Sequence, residues 1–270
     1  MVNKDIVLFD MDGTLTEPRK SFSQLLSSPL RDLVSYADIG IVTGSDYDYV
    51  QEQMGSFLND HSFRYSLHIL PCNGTKYYKP PSFPYQPHTL TESSSMISEL
   101  GKNEWRSLME ILIENQMKAS ELDIPLTGHF IFNRGSMVNW CPMGRNATSN
   151  ERQKFTNFDK KYKFRKRVIN EIKSDFANRQ INNITVKLGG ETSFDIYPTG
   201  WDKTYSLRYF NDRTVWFVGD RAHHPRGNDY EIFKACEPRS FHTTGPEETV
   251  RVVLEIIEEL RKRGRNGYNK

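Results

Sequence analysis

Two aspartates that directly follow a short apolar run constrain the fold of this chain more than any other feature. Residues 6–9 are all apolar, and their β-branched and aromatic side chains predict a buried strand. Asp10 and Asp12 come next, in a turn that contains Gly13. Open α/β sheets bind ligands at the carboxyl ends of their strands, so the pattern predicts two carboxylates at a ligand-binding edge. There, one carboxylate can attack phosphorus while the other moves the proton.

The remaining strands and helices predict an α/β core interrupted by an inserted domain. Apolar strands are expected at 37–42, 66–70 and 214–218, with helices between them and a final helix from Pro246. Residues 103–197 instead alternate helix, hairpin, helix and hairpin, which is typical of an antiparallel sheet with helices on one face. The expected fold class is α/β, with a Rossmann-like parallel sheet in the core and an α+β insertion.

Proline clusters predict the boundaries of the insertion. Four prolines between residues 80 and 87 cannot belong to a regular element, and residues 198–200 predict a second linker. We expect the first part of the core, the inserted domain and the second part of the core at 1–83, 84–198 and 199–270.

Composition excludes several classes of function. The net charge is +2, which provides no global field for nucleic acid or a membrane surface. The three cysteines lie far apart without the spacing of metal ligands, which is typical of a reducing compartment. No apolar stretch approaches transmembrane length, and the N-terminus lacks the apolar segment of a signal peptide. We expect a cytoplasmic protein that binds neither nucleic acid nor membranes.

Two further strand ends supply partners for the aspartates. Thr43 and Ser45, with the backbone amides around Gly44, follow the second strand and can hold phosphate oxygens. Asp220 and Asp229 follow the last apolar strand. Three carboxylates with a backbone carbonyl and waters form the oxygen-rich site that Mg²⁺ prefers.

A lysine completes this predicted site. An anionic phosphate must approach an anionic nucleophile, and Mg²⁺ together with Lys203 would offset that repulsion. Each feature alone is a weak signal, and a solvated turn is the ordinary alternative for Asp12 and Gly13. Their order and placement together favour an active site.

The same motifs resemble the haloacid dehalogenase superfamily of phosphotransferases and, within it, the eukaryotic-type phosphomannomutase family. The matching stretches cover residues 9–16, 44–46, 50–53, 142–145, 193–195, 200–203, 219–220 and 227–233. The resemblance implies Asp10 as nucleophile, Asp12 as general acid and base, and Lys203 as the lysine that orients phosphate. The implied magnesium ligands are Asp10, the Asp12 carbonyl and Asp220, supported by Asp229.

The resemblance also implies that the insertion is a mobile cap that binds the sugar phosphate. The substrate contacts that it implies are Arg19 from the core and, from the cap, Arg134, Arg145, Arg152, Ser193 and Asp195. Arginine suits a distal phosphate site because its planar fork pairs bidentately with phosphate. Ser193 and Asp195 alternate with apolar residues on one predicted strand, so they share a face.

These features predict a phosphomannomutase that interconverts mannose 6-phosphate and mannose 1-phosphate. The expected route uses a phospho-aspartate and a hexose 1,6-bisphosphate, which also serves as activator. A magnesium-dependent sugar-phosphate phosphatase is the main alternative, and an inactive family member that acts as a binding protein is a third. The resemblance further suggests a homodimer through the cap and a supply of mannose 1-phosphate for nucleotide-sugar (GDP-mannose) synthesis.

Overall fold

The computed structural model describes residues 5–18, 20–83, 85–223 and 227–267, the last four by their backbone alone. The chain divides into two compact units: the first comprises residues 1–93 and 202–270, and the second comprises residues 94–201. The first division lies ten residues beyond the sequence-based boundary, because β5 (Thr89–Ser93) pairs with β4 (Lys76–Lys79) and thereby extends the sheet of the first unit. The second lies at Trp201, which packs against the apolar core of the second unit.

The first unit contains a seven-stranded, mostly parallel sheet. Its strand order is β11-β10-β1-β2-β3-β4-β5, parallel from β11 through β3 and antiparallel at β4 and β5. The remaining strands are β1 (Asp5–Phe9), β2 (Asp38–Val42), β3 (Leu67–Leu70), β10 (Thr214–Gly219) and β11 (Ser240–His242). The prolines at 80–87 therefore lie between β4 and β5, the two strands of a hairpin. The prediction that they form the linker between the two units is wrong.

Strand β1 is the middle one of the five parallel strands, and its burial fits that position. Ile6, Val7, Leu8 and Phe9 are completely buried, as a parallel strand covered on both faces requires. The helices of this unit are α1 (Ser27–Leu33), α2 (Tyr47–Leu58), α6 (Tyr230–Cys236) and α7 (Pro246–Gly267). The apolar stripe of α7, which includes Val253 and Ile257, packs into the same core as β1 and β2.

The second unit contains a four-stranded antiparallel sheet in the order β6-β7-β9-β8. The strands are β6 (Ile131–Asn133), β7 (Val138–Trp140), β8 (Ile184–Gly189) and β9 (Ser193–Pro198), and the helices are α3 (Met96–Ser120), α4 (Ser149–Tyr162) and α5 (Phe164–Asn178). Helices α4 and α5 are separated by Lys163, which adopts a left-handed conformation with φ +51°.

The expected fold class, an α/β core with an α+β insertion, is confirmed. In the second unit, the rings of Trp140 and Phe194 stack with centroids 4.8 Å apart on the buried face of the sheet. Across the parts of the chain that the structure describes, no helix is both long enough and apolar enough to span a membrane.

Candidate active site

The carboxyl ends of three neighbouring strands place the predicted polar groups at one edge of the first sheet. Asp10 follows β1, Thr43 follows β2 and Asp220 follows β10, and β1 pairs with both other strands. The backbone amide of Asp10 still donates to Val218 O at 2.9 Å, which continues the ladder and fixes the residue at the strand end. The Asp10 side chain is almost completely buried. Its carboxylate therefore extends from a strand that is hydrogen-bonded on both sides.

A tight turn after β1 brings the backbone against Asp220. Gly13 has φ +86°, and a Cβ at this position would lie 2.4 Å from Asp220 Oδ2. Both the left-handed conformation and this close approach require glycine. The turn is closed by the Thr16 carbonyl, which accepts from the Gly13 amide at 2.7 Å.

Lys203 joins two of the acidic residues. It begins a 3₁₀ helix, Lys203–Phe210, whose first turn is capped by the Asp202 side chain. Its Nζ donates to Asp10 Oδ1 and to Asp229 Oδ1, each at 2.5 Å, and the side chain is only 1% exposed. Asp229 is held from its other side, where Oδ2 accepts from the Arg221 amide at 3.0 Å. One ammonium therefore bridges the carboxylates of Asp10 and Asp229.

Burial and charge crowding shift the pKa values of this group. Burial raises the pKa of Asp10 well above its usual range, the charge of Asp229 adds to this, and the ammonium of Lys203 opposes it. Burial and the charge of Asp229 raise the pKa of Asp220 to about 6. Burial alone would lower the pKa of Lys203, but the carboxylates of Asp10 and Asp229 outweigh it and raise that pKa.

This acidic cluster fits a divalent metal. Oxygens of Asp10, Asp220 and Asp229 lie within 4.8 Å of one another. Among the described residues, Asp220 Oδ1 is buried without a hydrogen-bond partner, and a buried acceptor of this kind calls for a cation or a water. Lys203 and Arg221, whose Nε lies 3.7 Å from Asp220 Oδ2, leave the three carboxylates with an excess of one negative charge. Hard oxygen ligands with that excess suit a metal such as Mg²⁺.

Asp12 lies in the turn after β1, apart from this cluster of three carboxylates. Its Oδ1 accepts a hydrogen bond from Tyr49 Oη at 3.1 Å, and Tyr49 belongs to α2. The half-buried carboxylate is therefore oriented by a tyrosine that the sequence does not single out. The sequence gives little indication of this contact, because Tyr49 lies 37 residues from Asp12 and approaches it only through the position of α2 in the fold.

The loop after β2 is fixed by a hydrogen bond within it and by two from the loop after β3. Thr43 Oγ1 accepts from the Ser45 amide at 3.1 Å, and Gly44 lies between them, just before the N-terminus of α2. The amides of Cys72 and Asn73 donate to Ser45 O and Thr43 O at 2.8 and 2.7 Å. Both residues have positive φ values, +51° and +62°, and strain of this kind is typical of functional loops.

The second unit gathers most of its predicted substrate contacts around Asn139. Arg145 Nη1 donates to Asn139 Oδ1 at 2.9 Å, while Asn139 Nδ2 donates to Ser193 Oγ and Asp195 Oδ1 at 2.9 and 2.7 Å. Arg134 Nη1 lies 4.0 Å from Asp195 Oδ1. The sequence misses Asn139, although a polar residue between two buried ones in a short strand is a usable signal.

Two further residues, Arg152 and Arg19, are predicted to contact the substrate. Arg152 lies in the first turn of α4, which a capping box of Thr148 and Glu151 begins. Arg19 lies outside the described residues. The structure thus brings Arg134, Arg145, Ser193 and Asp195 together on one sheet face of the second unit.

Comparisons with known proteins give one consistent family. The family model described as eukaryotic phosphomannomutase matches residues 26–259. The phosphomannomutase of Spinacia oleracea is 36% identical over 256 residues, covering 93% of this chain and 95% of that protein. The phosphomannomutase of Drosophila melanogaster is 34% identical over 264 residues, covering 94% and 95%.

Solved structures share the fold at low sequence identity. The Plasmodium falciparum IMP-nucleotidase is 14% identical with a TM-score of 0.62, and the match covers 96% of this chain and 69% of that chain. A trehalose-6-phosphate phosphatase related protein is 15% identical with a TM-score of 0.53, and the match covers 96% and 99%. At this identity the likeness is one of fold.

Proposed function

This chain belongs to the eukaryotic phosphomannomutase family, and from that premise we propose that it interconverts mannose 6-phosphate and mannose 1-phosphate. It is accordingly an enzyme, an isomerase that works by phosphoryl transfer. The observation that carries the proposal is the buried contact of Lys203 with both Asp10 and Asp229 at the carboxyl end of β1. That contact supports the assignment of Asp10 as the nucleophile, because a fixed cation beside it would offset the charge of an incoming phosphate.

The first half-reaction in this proposal uses two aspartates. Phosphorylated Asp10 transfers its phosphoryl group to a hydroxyl oxygen of the hexose monophosphate, while Asp12 takes the hydroxyl proton. A phosphorus–oxygen bond to Asp10 breaks, and a new one to the sugar forms, giving a hexose 1,6-bisphosphate. The hydrogen bond from Tyr49 keeps the Asp12 carboxylate oriented for that proton.

The second half-reaction reverses these roles. The bisphosphate presents its other phosphate to Asp10, whose carboxylate attacks phosphorus, and Asp12 returns the proton to the leaving oxygen. Lys203 holds Asp10 in place and offsets the charge of the incoming phosphate. A small amount of hexose 1,6-bisphosphate would start the cycle, because it phosphorylates Asp10.

Magnesium is part of the proposal. Asp10, Asp220 and Asp229 would hold it, with the Asp12 carbonyl, and when bound it supplies positive charge that stabilises the transferring phosphoryl group. The unpartnered Asp220 Oδ1 and the excess negative charge of the cluster support this assignment.

The phosphate that is not reacting also needs a binding site. We assign it to the arginines of the second unit, Arg134, Arg145 and Arg152, with Ser193 and Asp195 for the sugar hydroxyls. Arg19, Thr43, Gly44 and Ser45 of the first unit would bind the phosphate that reacts. Support for the first group comes from the contacts that join Arg145, Ser193 and Asp195 to one amide.

One assay separates the mutase from a phosphatase built on the same residues. Mannose 1-phosphate is incubated with Mg²⁺ and a trace of hexose 1,6-bisphosphate, and mannose 6-phosphate and free phosphate are both followed. We expect mannose 6-phosphate as the main product, and none of it from the Asp10→Asn variant. Free phosphate as the main product would instead identify a phosphatase. An absence of Asp10-dependent turnover on any phosphate ester would refute both.

Three further parts of the proposal concern the cell and the assembly. We propose a cytoplasmic homodimer formed through the second unit, which supplies mannose 1-phosphate for GDP-mannose synthesis. Sedimentation equilibrium of the intact chain tests the dimer, and a monomer at micromolar concentration would refute it.

A further inference from the structure

We propose that Asn139 is a positioning residue, whose buried carboxamide holds Arg145 and Asp195 in the geometry that binds the sugar phosphate. The inference rests on the proposed function, because it assigns those two residues to the substrate. Asn139 acts through them, since its own side chain is only 3% exposed.

The register of the second sheet puts Asn139 at the middle of the predicted site. It lies on β7 directly opposite Asp195 on β9, so the two side chains stand on the same sheet face. The Nδ2 group donates to Asp195 Oδ1 at 2.7 Å and to Ser193 Oγ at 2.9 Å. A weaker contact joins it to Phe194 O at 3.3 Å. The amide group is thus anchored to three successive residues of one strand.

The other half of the carboxamide faces a cation. Arg145 Nη1 donates to Asn139 Oδ1 at 2.9 Å, and the guanidinium also lies over the Phe132 ring, 5.1 Å from its centroid. The neighbouring charges fix which way the amide points, since the NH₂ group faces a carboxylate and the oxygen faces a guanidinium. The carboxamide therefore orients the Arg145 guanidinium and the Asp195 carboxylate without adding a charge of its own.

Asn115 provides a matched comparison within the same unit. It is also an asparagine that is 3% exposed, but its Nδ2 donates to Ile111 O at 2.8 Å, within α3. Asn115 therefore has the burial and the residue type of Asn139, but this hydrogen bond stays within its own helix. If Asn139 served packing alone, replacing either residue would have similar effects on substrate binding.

The test compares Asn139→Ala, Asn139→Asp and Asn115→Ala with the wild-type chain in three measurements. Calorimetry measures the Kd for mannose 1-phosphate, and steady-state kinetics measures KM and kcat of the mutase reaction. Hydrolysis of p-nitrophenyl phosphate reports on Asp10, which belongs to the first unit.

We expect Asn139→Ala to raise the Kd and KM about 10- to 100-fold, because two hydrogen bonds to charged groups are lost. Asn139→Asp keeps the side-chain volume but places a carboxylate against Asp195, so it should raise them further. Asn115→Ala should leave both constants within about twofold of wild type, and all three variants should retain p-nitrophenyl phosphate hydrolysis.

The outcomes separate this inference from the proposed function. The inference is wrong if folded Asn139→Ala and Asn139→Asp bind mannose 1-phosphate as the wild type does, or if Asn115→Ala weakens binding equally. If the wild-type chain binds mannose 1-phosphate without converting it, the proposed function fails while the comparison of binding constants still tests Asn139. Should Asn139→Ala not fold, the isosteric Asn139→Asp carries the decision.

Discussion

Replacing Asp220 by asparagine should stabilise the metal-free protein while abolishing its activity. Burial and the charge of Asp229 raise the pKa of Asp220 from 3.8 to about 6, so keeping this carboxylate ionised costs folding free energy at neutral pH. A rise of the Asp220 pKa from 3.8 to about 6 corresponds to about 3 kcal/mol at pH 7.5, since a tenfold change in an ionisation constant is worth about 1.4 kcal/mol. Asparagine keeps the shape of the side chain without its charge. Because solvent partly screens that charge, Asp220→Asn should raise the free energy of unfolding by about 1–3 kcal/mol.

The sign of the pH dependence follows from the direction of the shift. A carboxyl group whose pKa is raised on folding contributes stability that is complete below pH 3.8 and is lost as the pH rises through about 6. The advantage of Asp220→Asn should therefore be greatest at pH 7.5, about half as large at pH 5, and small at pH 4.

Thermal or urea unfolding in EDTA at these three pH values measures the effect. The matched control is Asp123→Asn, since Asp123 is an exposed aspartate outside the cluster and should change the free energy of unfolding by less than about 0.5 kcal/mol. Added Mg²⁺ should stabilise the wild-type protein more than Asp220→Asn. A variant that is less stable than wild type in EDTA at pH 7.5, or a gain that does not vary with pH, would refute the reasoning.

Three other changes have definite expected outcomes. Tyr49→Phe removes the hydrogen bond to Asp12 and should lower kcat about tenfold with KM unchanged, which steady-state kinetics checks; an unchanged kcat would contradict the role in orientation. Gly13→Ala should lose mutase activity and about 1–2 kcal/mol or more of stability in urea unfolding, because its Cβ collides with Asp220 at a positive φ; full activity would contradict the required close approach. Burial lowers the pKa of His88 to about 4, so stability should fall as the pH drops from 6.5 towards 4, and His88→Gln should remove that part of the dependence in urea titrations.

The sequence predicts those strands and helices whose buried positions appear as a regular pattern of apolar residues. Residues 6–9 and 214–218 are apolar throughout because parallel strands are covered on both faces, and their carboxyl ends locate Asp10 and Asp220. The second hairpin of the second unit is also predictable from the sequence, because buried and partly exposed residues alternate along much of β8 and β9.

The features that the sequence does not predict lack such a pattern of apolar residues. Every residue of β5 is exposed, so its pairing with β4 has no apolar alternation to show it, and the prolines of the loop dominate the pattern. The break at Lys163 has no glycine or proline to signal it. Asn139 and Tyr49 acquire their partners through contacts 56 and 37 residues away, which only the folded chain defines.

The central place of β1 in its sheet has a consequence for synthesis of the chain on the ribosome. Strand β1 needs β10 as its neighbour, and β10 begins at Thr214, whereas residues 94–201 form a contiguous unit. At typical elongation rates of about 5–20 residues per second, roughly 10–40 s pass between the synthesis of β1 and that of β10, and during this time one edge of the apolar strand β1 is unpaired. The second unit can complete its fold within that interval, while Asp10 meets Lys203 and Asp229 only when the last quarter of the chain has emerged. Chains that stop early would expose β1 to aggregation.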